Sequence, residues 1–377
     1  MTQDTRGALY DQFPRVAVSH EWLTIPGGSE KVVLQFLELL PRAEIYTSVY
    51  DPAPWPAAIT NAEVHTSFLN RLPGARRHYP RLLPLMNAAF ESFDLDGYDL
   101  VLSSNHACAK NVKTGPDTLH VCYCHTPMRY AWDPAFLAGE RMGPLERRVL
   151  PLLLRRLRRQ DLAASARPDV YVANSTHVAA RIRSFYGRDS HVIHPPVDVK
   201  ELLELPRRDD GYYVFLGRLV PYKRADLAVA ACARLGRPLK VIGEGRAAEG
   251  LADAAGPDTE FLGRLDDASL REVLAGARAL LFPGEEDFGM VPVEAQAAGV
   301  PVIAYGVGGA LDTVEDGVTG VLYEEPGAGG LSAAIERFET LTFDEAVLRE
   351  RAAGFAPERF RSELEGLLVR LAKERGR

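Results

Sequence analysis

Residues 282–295 read FPGEEDFGMVPVEA, and this stretch decides the fold class. An apolar strand ends at Phe282, a glycine-containing loop follows, and a helix is predicted next, with Pro292 in its first turn, where proline is favoured. A helix N-terminus offers free N–H groups and a positive dipole end, which suit a phosphate group or sugar hydroxyls. Glu286 and Glu294 each carry a carboxylate that accepts two hydrogen bonds, so one can bind a sugar and the other a ribose diol. Spacing alone is equally consistent with two solvated glutamates beside a turn.

Short β-rich runs alternate with amphipathic helical patterns on both sides of this stretch. Alternation of this kind predicts parallel sheets that are covered by helices on both faces. It restarts after the sequence PPVD at residues 195–198, which is typical of a hinge. We therefore predict two doubly wound domains, with the functional residues in the loops after the strands. The predicted strands are residues 16–19, 99–104, 119–124 and 170–174, then 212–216, 239–242, 259–262, 279–283, 301–305 and 320–323.

The composition excludes several other classes of protein. With 377 residues, 46% hydrophobic, and a formal net charge of −7, the chain can bury two cores and is not built as a nucleic-acid binder. Its four cysteines show no metal-ligand spacing, which predicts reduced thiols and no structural metal. The N-terminus lacks an apolar signal segment, and no apolar run is long enough to span a bilayer, so we expect a cytoplasmic protein.

Three further motifs follow predicted strands. FLGRLVPYK at residues 215–223 places Arg218 and Lys223 where two cations can hold a diphosphate, with Lys223 predicted to open a helix. SHEWLTIPGGSEK at residues 19–31 contains Gly28, at which a backbone amide can approach a phosphate closely, but it lacks the G-x-G-x-x-G pattern of dinucleotide enzymes. CHTPMRYAWD at residues 124–133 places His125 at the end of a strand. Each motif alone is more often a turn, a surface ion pair or a structural histidine.

Together, and in this order, the motifs resemble the retaining GT-B glycosyltransferases of glycosyltransferase family four. The E-x7-E element corresponds to Glu286 and Glu294, and the G-R-L…K element to residues 217–223. The resemblance implies an α/β fold of two Rossmann-like doubly wound domains facing a central cleft. It assigns residues 1–197 to the acceptor-side domain and residues 198–356 to the nucleotide-sugar donor domain, with the last helix, residues 357–377, crossing back to the first domain.

The resemblance also implies a role for each site residue, with no metal and no cofactor beyond the nucleotide sugar. His125 and Glu286 are the expected catalytic residues, and Gly28, Arg218 and Lys223 are expected to hold the diphosphate. Glu294 is expected to bind the ribose. The donor sugar is expected to contact Glu286 and the backbone amides of Phe288, Gly289 and Met290, and the base is expected to contact the backbone of Leu265. Asp94 and Asp96 form a D-x-D in a predicted loop and receive no role. The nearest acid after Gly308-Gly309 is Asp312, where the family has a glutamate, and it receives no role either.

Residues 26–32 and 125–134 resemble a bacterial subgroup that includes mannosyltransferases of O-antigen and exopolysaccharide assembly. This resemblance favours transfer of mannose from GDP-mannose to a saccharide or lipid-linked saccharide. A UDP-sugar donor carrying glucose or GlcNAc is the alternative, and a nucleotide-sugar 2-epimerase or a nucleotide-sugar-binding regulator is a more distant one. No residue in the sequence distinguishes a GDP-sugar donor from a UDP-sugar donor.

A basic, leucine-rich helix is predicted over residues 141–159. Its arginines are typical of helices that lie on anionic membranes, which would place the enzyme at the inner face of the cell membrane and would suit a lipid-linked acceptor. The same pattern also describes a solvated helix face over a leucine-rich core.

Overall fold

The computed structural model describes residues 9–133 and 144–376. The chain divides into two compact units. The first comprises the chain up to Pro196 together with the segment from Glu358 onward, and the second is Val197–Pro357.

The first unit is built on a seven-stranded parallel sheet with the order β3-β2-β1-β5-β7-β8-β9, beside a separate pair formed by β4 and β6. The central strands β1, β5 and β7 are buried along their whole length, because apolar residues on both faces pack against helices. The strands are β1 (Val16–His20), β2 (Glu44–Thr47), β3 (Val64–Thr66), β4 (Asp94–Leu95), β5 (Leu100–Asn105), β6 (Lys113–Thr114), β7 (Leu119–Cys124), β8 (Val170–Ala173) and β9 (Ser190–Val192).

The helices of the first unit cover this sheet. Helix α1 is amphipathic and buries Val33 and Phe36 in the core, together with Leu364 and Leu368 from the last helix of the chain. The α-helices are α1 (Gly28–Leu39), α2 (Ala57–Thr60), α3 (Ala75–His78), α4 (Leu83–Glu91), α5 (Arg129–Trp132), α6 (Pro144–Ala164) and α7 (Thr176–Tyr186). Short 3-10 helices lie at Phe68–Arg71, Tyr79–Leu82 and Ala109–Asn111.

The second unit is built on a six-stranded parallel sheet with the order β12-β11-β10-β13-β14-β15. Its strands are β10 (Tyr212–Leu216), β11 (Leu239–Ile242), β12 (Thr259–Gly263), β13 (Ala277–Phe282), β14 (Val302–Tyr305) and β15 (Gly320–Tyr323). Its α-helices are α8 (Lys200–Leu203), α9 (Ala225–Leu235), α10 (Ala248–Ala254), α11 (Asp267–Gly276), α12 (Met290–Ala297), α13 (Ala310–Thr313), α14 (Ala328–Phe338) and α15 (Glu345–Ala353), with a 3-10 helix at Pro221–Lys223. The last helix, α16 (Pro357–Glu374), belongs to the first unit from Glu358 onward. The predicted fold class, two doubly wound parallel-sheet domains, is confirmed.

The structure corrects several local predictions. Strands β2, β3 and β9 and helix α7 were not predicted, because their short apolar segments are interrupted by polar residues. Asp94 lies in the short strand β4, not in a loop. Lys223 ends a 3-10 helix and does not open an α-helix, because Arg224 adopts a left-handed conformation with φ 56° before α9 begins.

The four cysteines are buried and form no disulfide. Burial raises the pKa of Cys122 and of Cys232 to about 12, so neither side chain forms a reactive thiolate at neutral pH. Among the residues that the structure describes, no helix is both long enough and apolar enough to cross a bilayer.

Candidate functional site

In the second unit, the strand order reverses between β10 and β13, which are hydrogen-bonded neighbours. Doubly wound sheets bind ligands at the carboxyl ends of the strands at such a reversal. The loop after β10 carries Arg218 and Lys223, and the loop after β13 carries Glu286. Two motifs that are far apart in the sequence are therefore neighbours because of the topology of this sheet.

Lys223 and Glu286 are in direct contact. The Nζ atom of Lys223 donates a hydrogen bond to Oε1 of Glu286, and only 13% of the lysine side chain and 18% of the glutamate side chain are exposed. The structure therefore joins a residue expected to hold phosphate and a residue expected to hold sugar in one partly shielded ion pair.

Glycines allow the loops around this pair to approach one another. A Cβ atom on Gly284 would lie 2.8 Å from Cα of Lys223, and one on Gly309 would lie 2.2 Å from Cα of Phe288, so neither position accepts a side chain without movement of the backbone. The amide of Gly309 also donates to the carbonyl of Glu286 at 2.8 Å. The sequence assigned no role to Gly284 and Gly309, although the Gly-Gly pair after β14 is a visible signal of close backbone approach.

The other predicted donor residues of the second unit lie near the ends of its strands. Arg218 is exposed, and its guanidinium donates to the hydroxyl of Tyr222 at 3.1 Å. Glu294 is half-buried on α12, and Leu265 is half-buried just after β12. Phe288 is buried against Phe355, Gly289 precedes α12 with φ 84°, and Met290 is the first residue of that helix. The three residues predicted to offer backbone amides therefore lie at the start of α12.

In the first unit the strand order reverses between β1 and β5. His20, the last residue of β1, lies beside Ser104 of β5, and Asn105 lies beside Cys124 at the end of β7. His125 follows, and its amide donates to the carbonyl of Asn105 at 2.8 Å. The carboxyl ends of three adjacent strands thus bring His125 into a polar cluster.

This cluster is a continuous chain of hydrogen bonds. Oε1 of Glu30 is 3.1 Å from Nε2 of His20, Nδ1 of His20 is 3.1 Å from Oγ of Ser104, and that Oγ is 2.8 Å from Nε2 of His125. Burial lowers the pKa of His125 to about 3, and the nearby His106 and His20 act in the same direction. Burial alone would raise the pKa of Glu30, but the hydrogen bond from His20 contributes to a net pKa of about 2. At neutral pH the cluster therefore contains an ionised carboxylate and a neutral His125.

Gly28 is the first residue of α1 and is exposed. The first turn of α1 also contains the buried Glu30, and a Cβ atom on Gly27 would lie 2.9 Å from Oε2 of that glutamate. The start of α1 therefore carries an acidic group of its own in the same turn as Gly28, the residue predicted to hold the diphosphate.

A second buried carboxylate supports the turn after β5. Glu21 accepts hydrogen bonds from the amides of four successive residues, His106, Ala107, Cys108 and Ala109, at 2.7 to 3.1 Å. Its side chain is fully buried. Glu21 therefore satisfies a turn whose amides would otherwise be buried without partners, and its signal in the sequence is only an acid directly after a strand.

Among the residues described, one cluster has the spacing of metal ligands: Glu44, Glu63 and His65. Nε2 of His65 is 2.8 Å from Oε2 of Glu44. The cluster lies on and beside the outer strands β2 and β3 and includes none of the predicted site residues.

Comparison with known proteins agrees with this architecture. Residues 204–355 match the family model described as Glycosyl transferases group 1, and residues 26–201 match the model described as Glycosyltransferase Family 4. The fold is that of the GT-B glycosyltransferase class. The two matched models follow one another along the chain and correspond closely to the two compact units.

Curated relatives include the D-inositol 3-phosphate glycosyltransferases of Mycobacterium bovis and Mycobacterium tuberculosis. Each is 30% identical over 193 residues, a match that covers 45% of this chain and 40% of the relative, so it spans less than half of these relatives' length. Similar solved structures include Anabaena HepE in complex with UDP, with a TM-score of 0.66 and 16% identity, covering 94% of this chain and 99% of that one. Sucrose-phosphate synthase from Thermosynechococcus elongatus has a TM-score of 0.68 and 20% identity, covering 95% and 98%.

Proposed function

We propose that this protein is a retaining glycosyltransferase that moves a hexose from a nucleotide sugar to a saccharide or lipid-linked saccharide acceptor without a metal ion. The observation that carries the proposal is the Lys223–Glu286 pair at the strand reversal of the second sheet. It combines, in one place, a cation for a diphosphate and a carboxylate for sugar hydroxyls. The two matched glycosyltransferase domains support the same reaction class.

The donor would be held by charges and amides of the second unit. Lys223 and Arg218 would bind the diphosphate and offset the negative charge that grows on the leaving nucleoside diphosphate. Glu286 would accept hydrogen bonds from the donor sugar, next to the amides at the start of α12, and Glu294 would bind the ribose diol. The backbone at Leu265 would contact the base.

Two residues of the first unit complete the proposal. The half-buried His125 would contact the donor sugar near its anomeric carbon as a neutral hydrogen-bonding group, because its pKa is far below neutral. Gly28 would bring a backbone amide to the diphosphate, although the ionised Glu30 in the same helical turn works against an anion there.

We propose GDP-mannose as the donor, on the resemblance of residues 26–32 and 125–134, with a UDP-sugar as the alternative. The structure of HepE in complex with UDP supports that alternative. A thermal-shift comparison of GDP, UDP and their sugar conjugates decides, because a ligand that binds only the folded state raises the midpoint of unfolding. A larger shift with GDP than with UDP supports mannose transfer, and the reverse result replaces it with a UDP-sugar.

The reaction itself is tested by following the anomeric proton of the product by NMR, with donor and a panel of saccharide acceptors. Retention of the donor's configuration, unchanged by a chelator, supports the proposal. Inversion or a metal requirement contradicts the corresponding part of it. An epimerised sugar formed from donor alone would instead identify a nucleotide-sugar 2-epimerase, and binding of donor without any turnover would favour a regulator.

We further propose that the basic helix contacts an anionic membrane surface. Residues 141–143 lie outside the described part of the chain, and the remainder of the predicted stretch falls in α6. Leu157 of α6 is buried. The exposed residues of this helix include five arginines and three large apolar side chains: Arg148, Arg155, Arg156, Arg158, Arg159, Val149, Leu152 and Leu162. A mixed basic and apolar surface of this kind favours anionic lipid.

Sedimentation with vesicles of anionic or of neutral lipid tests this contact. We expect binding to anionic vesicles that weakens as salt rises, and a loss of binding in the Arg155→Glu, Arg156→Glu double variant. Equal recovery with both vesicle types, or no binding at low salt, contradicts the proposal.

A further inference from the structure

The hydrogen-bonded chain Glu30–His20–Ser104–His125 runs from the buried interior of the first unit to a partly exposed side chain. Glu30, His20 and Ser104 are buried, whereas His125 is half-buried and is the member of the four that reaches the surface. A polar chain of this kind is costly to bury unless every member is satisfied, so the position of each proton in it is constrained.

Proton positions follow from the carboxylate outward. Glu30 lies in the first turn of α1, where the helix dipole stabilises an ionised carboxylate. An ionised carboxylate can only accept, so Nε2 of His20 must donate to it. If His20 is neutral, its Nδ1 has no hydrogen and accepts from the hydroxyl of Ser104. That hydroxyl has a single hydrogen, so its oxygen can only accept from Nε2 of His125.

The alternative arrangement requires a cationic His20. Its Nδ1 would then donate to Ser104, the Ser104 hydroxyl would donate to Nε2 of His125, and the hydrogen of His125 would move to Nδ1. Two observations oppose it: His20 is fully buried, where a cation is costly, and Glu30 lies in the first turn of α1, where the helix dipole stabilises a carboxylate without a cation.

We propose that Glu30 and His20, acting through Ser104, are positioning residues that hold His125 as the neutral Nε2–H tautomer and leave its Nδ1 free to accept a hydrogen bond from a sugar hydroxyl. This inference rests on the proposed function for the sugar, but the tautomer itself does not depend on turnover. In the proposed function, His125 then accepts a hydrogen bond from the substrate and does not transfer a proton.

The tautomer is measured directly by NMR of protein that carries 15N-labelled histidine. The chain contains nine histidines, so the His125 signals are assigned as those lost in His125→Gln. We expect the Nδ1 of His125 to show the chemical shift of an unprotonated ring nitrogen and its Nε2 that of a protonated one. The Nδ1–H tautomer, or an imidazolium, in the wild-type protein overturns the proposal.

Ser104→Ala removes the hydroxyl that links His20 to His125. Ser103→Ala is the matched control, because Ser103 is its buried neighbour in β5 and makes an equivalent contact of 2.9 Å to Nε2 of His120. We expect Ser104→Ala, and more weakly Glu30→Gln, to give a mixture of His125 tautomers and about a tenfold fall in kcat with little change in the donor KM. Ser103→Ala should leave both measurements unchanged.

The outcomes separate the two proposals. If His125 has the expected tautomer but the protein transfers no sugar, this inference about the proton is supported and the proposed function is contradicted. If the wild-type protein transfers sugar, and the Ser104→Ala variant keeps both the wild-type tautomer and the wild-type kcat, the inference is overturned. The proposed function is then unaffected.

Discussion

The ammonium of Lys223 and the carboxylate of Glu286 form an ion pair although they are 63 residues apart in the chain. The pair is partly shielded from water, and its formation depends on close packing of the loops after β10 and β13. A nucleotide sugar would give each group a new partner, since the diphosphate would take the ammonium and the sugar hydroxyls the carboxylate. Donor binding would therefore exchange an internal ion pair for two intermolecular contacts.

Replacing Glu286 with glutamine keeps the shape of the side chain but removes its charge. We expect kcat/KM to fall at least about 100-fold, the usual effect of losing one charged contact in a transition state, with little change in the thermal midpoint. Steady-state kinetics and thermal unfolding measure both quantities. Glu285→Gln, at the exposed neighbouring position, is the control and should keep wild-type activity. Normal turnover in Glu286→Gln would show that this carboxylate has no part in transfer.

Replacing Lys223 with alanine should weaken the binding of a nucleoside diphosphate about 10- to 100-fold, because a charged hydrogen bond to phosphate is lost. Binding of the corresponding nucleoside, which has no phosphate, should change little. Calorimetric titration of both ligands separates the two effects, and Lys200→Ala, an exposed lysine of the same unit, serves as the control. Equal losses for the two ligands would contradict a specific diphosphate contact.

Glu30 should make the stability of the protein depend on pH. Its pKa in the folded protein is about 2 and its ordinary value is 4.5, so its stabilising contribution is complete above about pH 5 and is lost as the pH falls toward 2. We expect Glu30→Gln to lower the free energy of unfolding by up to about 3 kcal/mol at pH 7, with a difference that shrinks below pH 5.

Urea unfolding at a series of pH values measures this difference. Glu38→Gln, at an exposed position of the same helix, is the control, and it should lower the free energy of unfolding at pH 7 by less than Glu30→Gln does. A gap between wild type and Glu30→Gln that stays constant from pH 7 to pH 3 would mean that the carboxylate is not ionised below its ordinary range.

Glu21→Ala should be among the most destabilising substitutions in the first unit. It leaves the amides of His106–Ala109 buried without acceptors, at a cost of about 3–5 kcal/mol. Urea unfolding measures the loss, and hydrogen exchange should show faster exchange at these amides. The exposed Glu63 provides the control, and Glu63→Ala should change stability by less than about 1 kcal/mol. A similar small loss in Glu21→Ala would contradict the structural role.

The sequence was sufficient for the fold class, because buried parallel strands are nearly continuous apolar runs. Strands such as Leu119–Cys124 and Tyr212–Leu216 have the predicted bounds. The outer strand Ser190–Val192 could not be predicted, since an edge strand that is mostly exposed has no such pattern. Lys223 and Glu286 were predicted individually, but their contact depends on the order of the strands, which local sequence does not contain.

The polar cluster of the first unit shows a different limit. His20 and Glu30 were visible in the same quoted motif as Gly28, yet nothing in their spacing indicates that a serine 84 residues from His20 joins them to His125. Buried polar residues of this kind look like ordinary loop residues until the register of β1 against β5 is known.

The packing of α16 has a consequence for the order in which the chain folds. Phe360, Leu364 and Leu368 belong to the core of the first unit, while the amide of Val197 donates to the carbonyl of Phe355 at 2.9 Å within the second. The second unit is thus an insertion whose two ends meet, and it has all its own strands once residue 357 has been synthesised. The first unit is therefore completed after the second, because its core includes helix α16. This helix is synthesised more than 150 residues after β9, the last strand of the first unit.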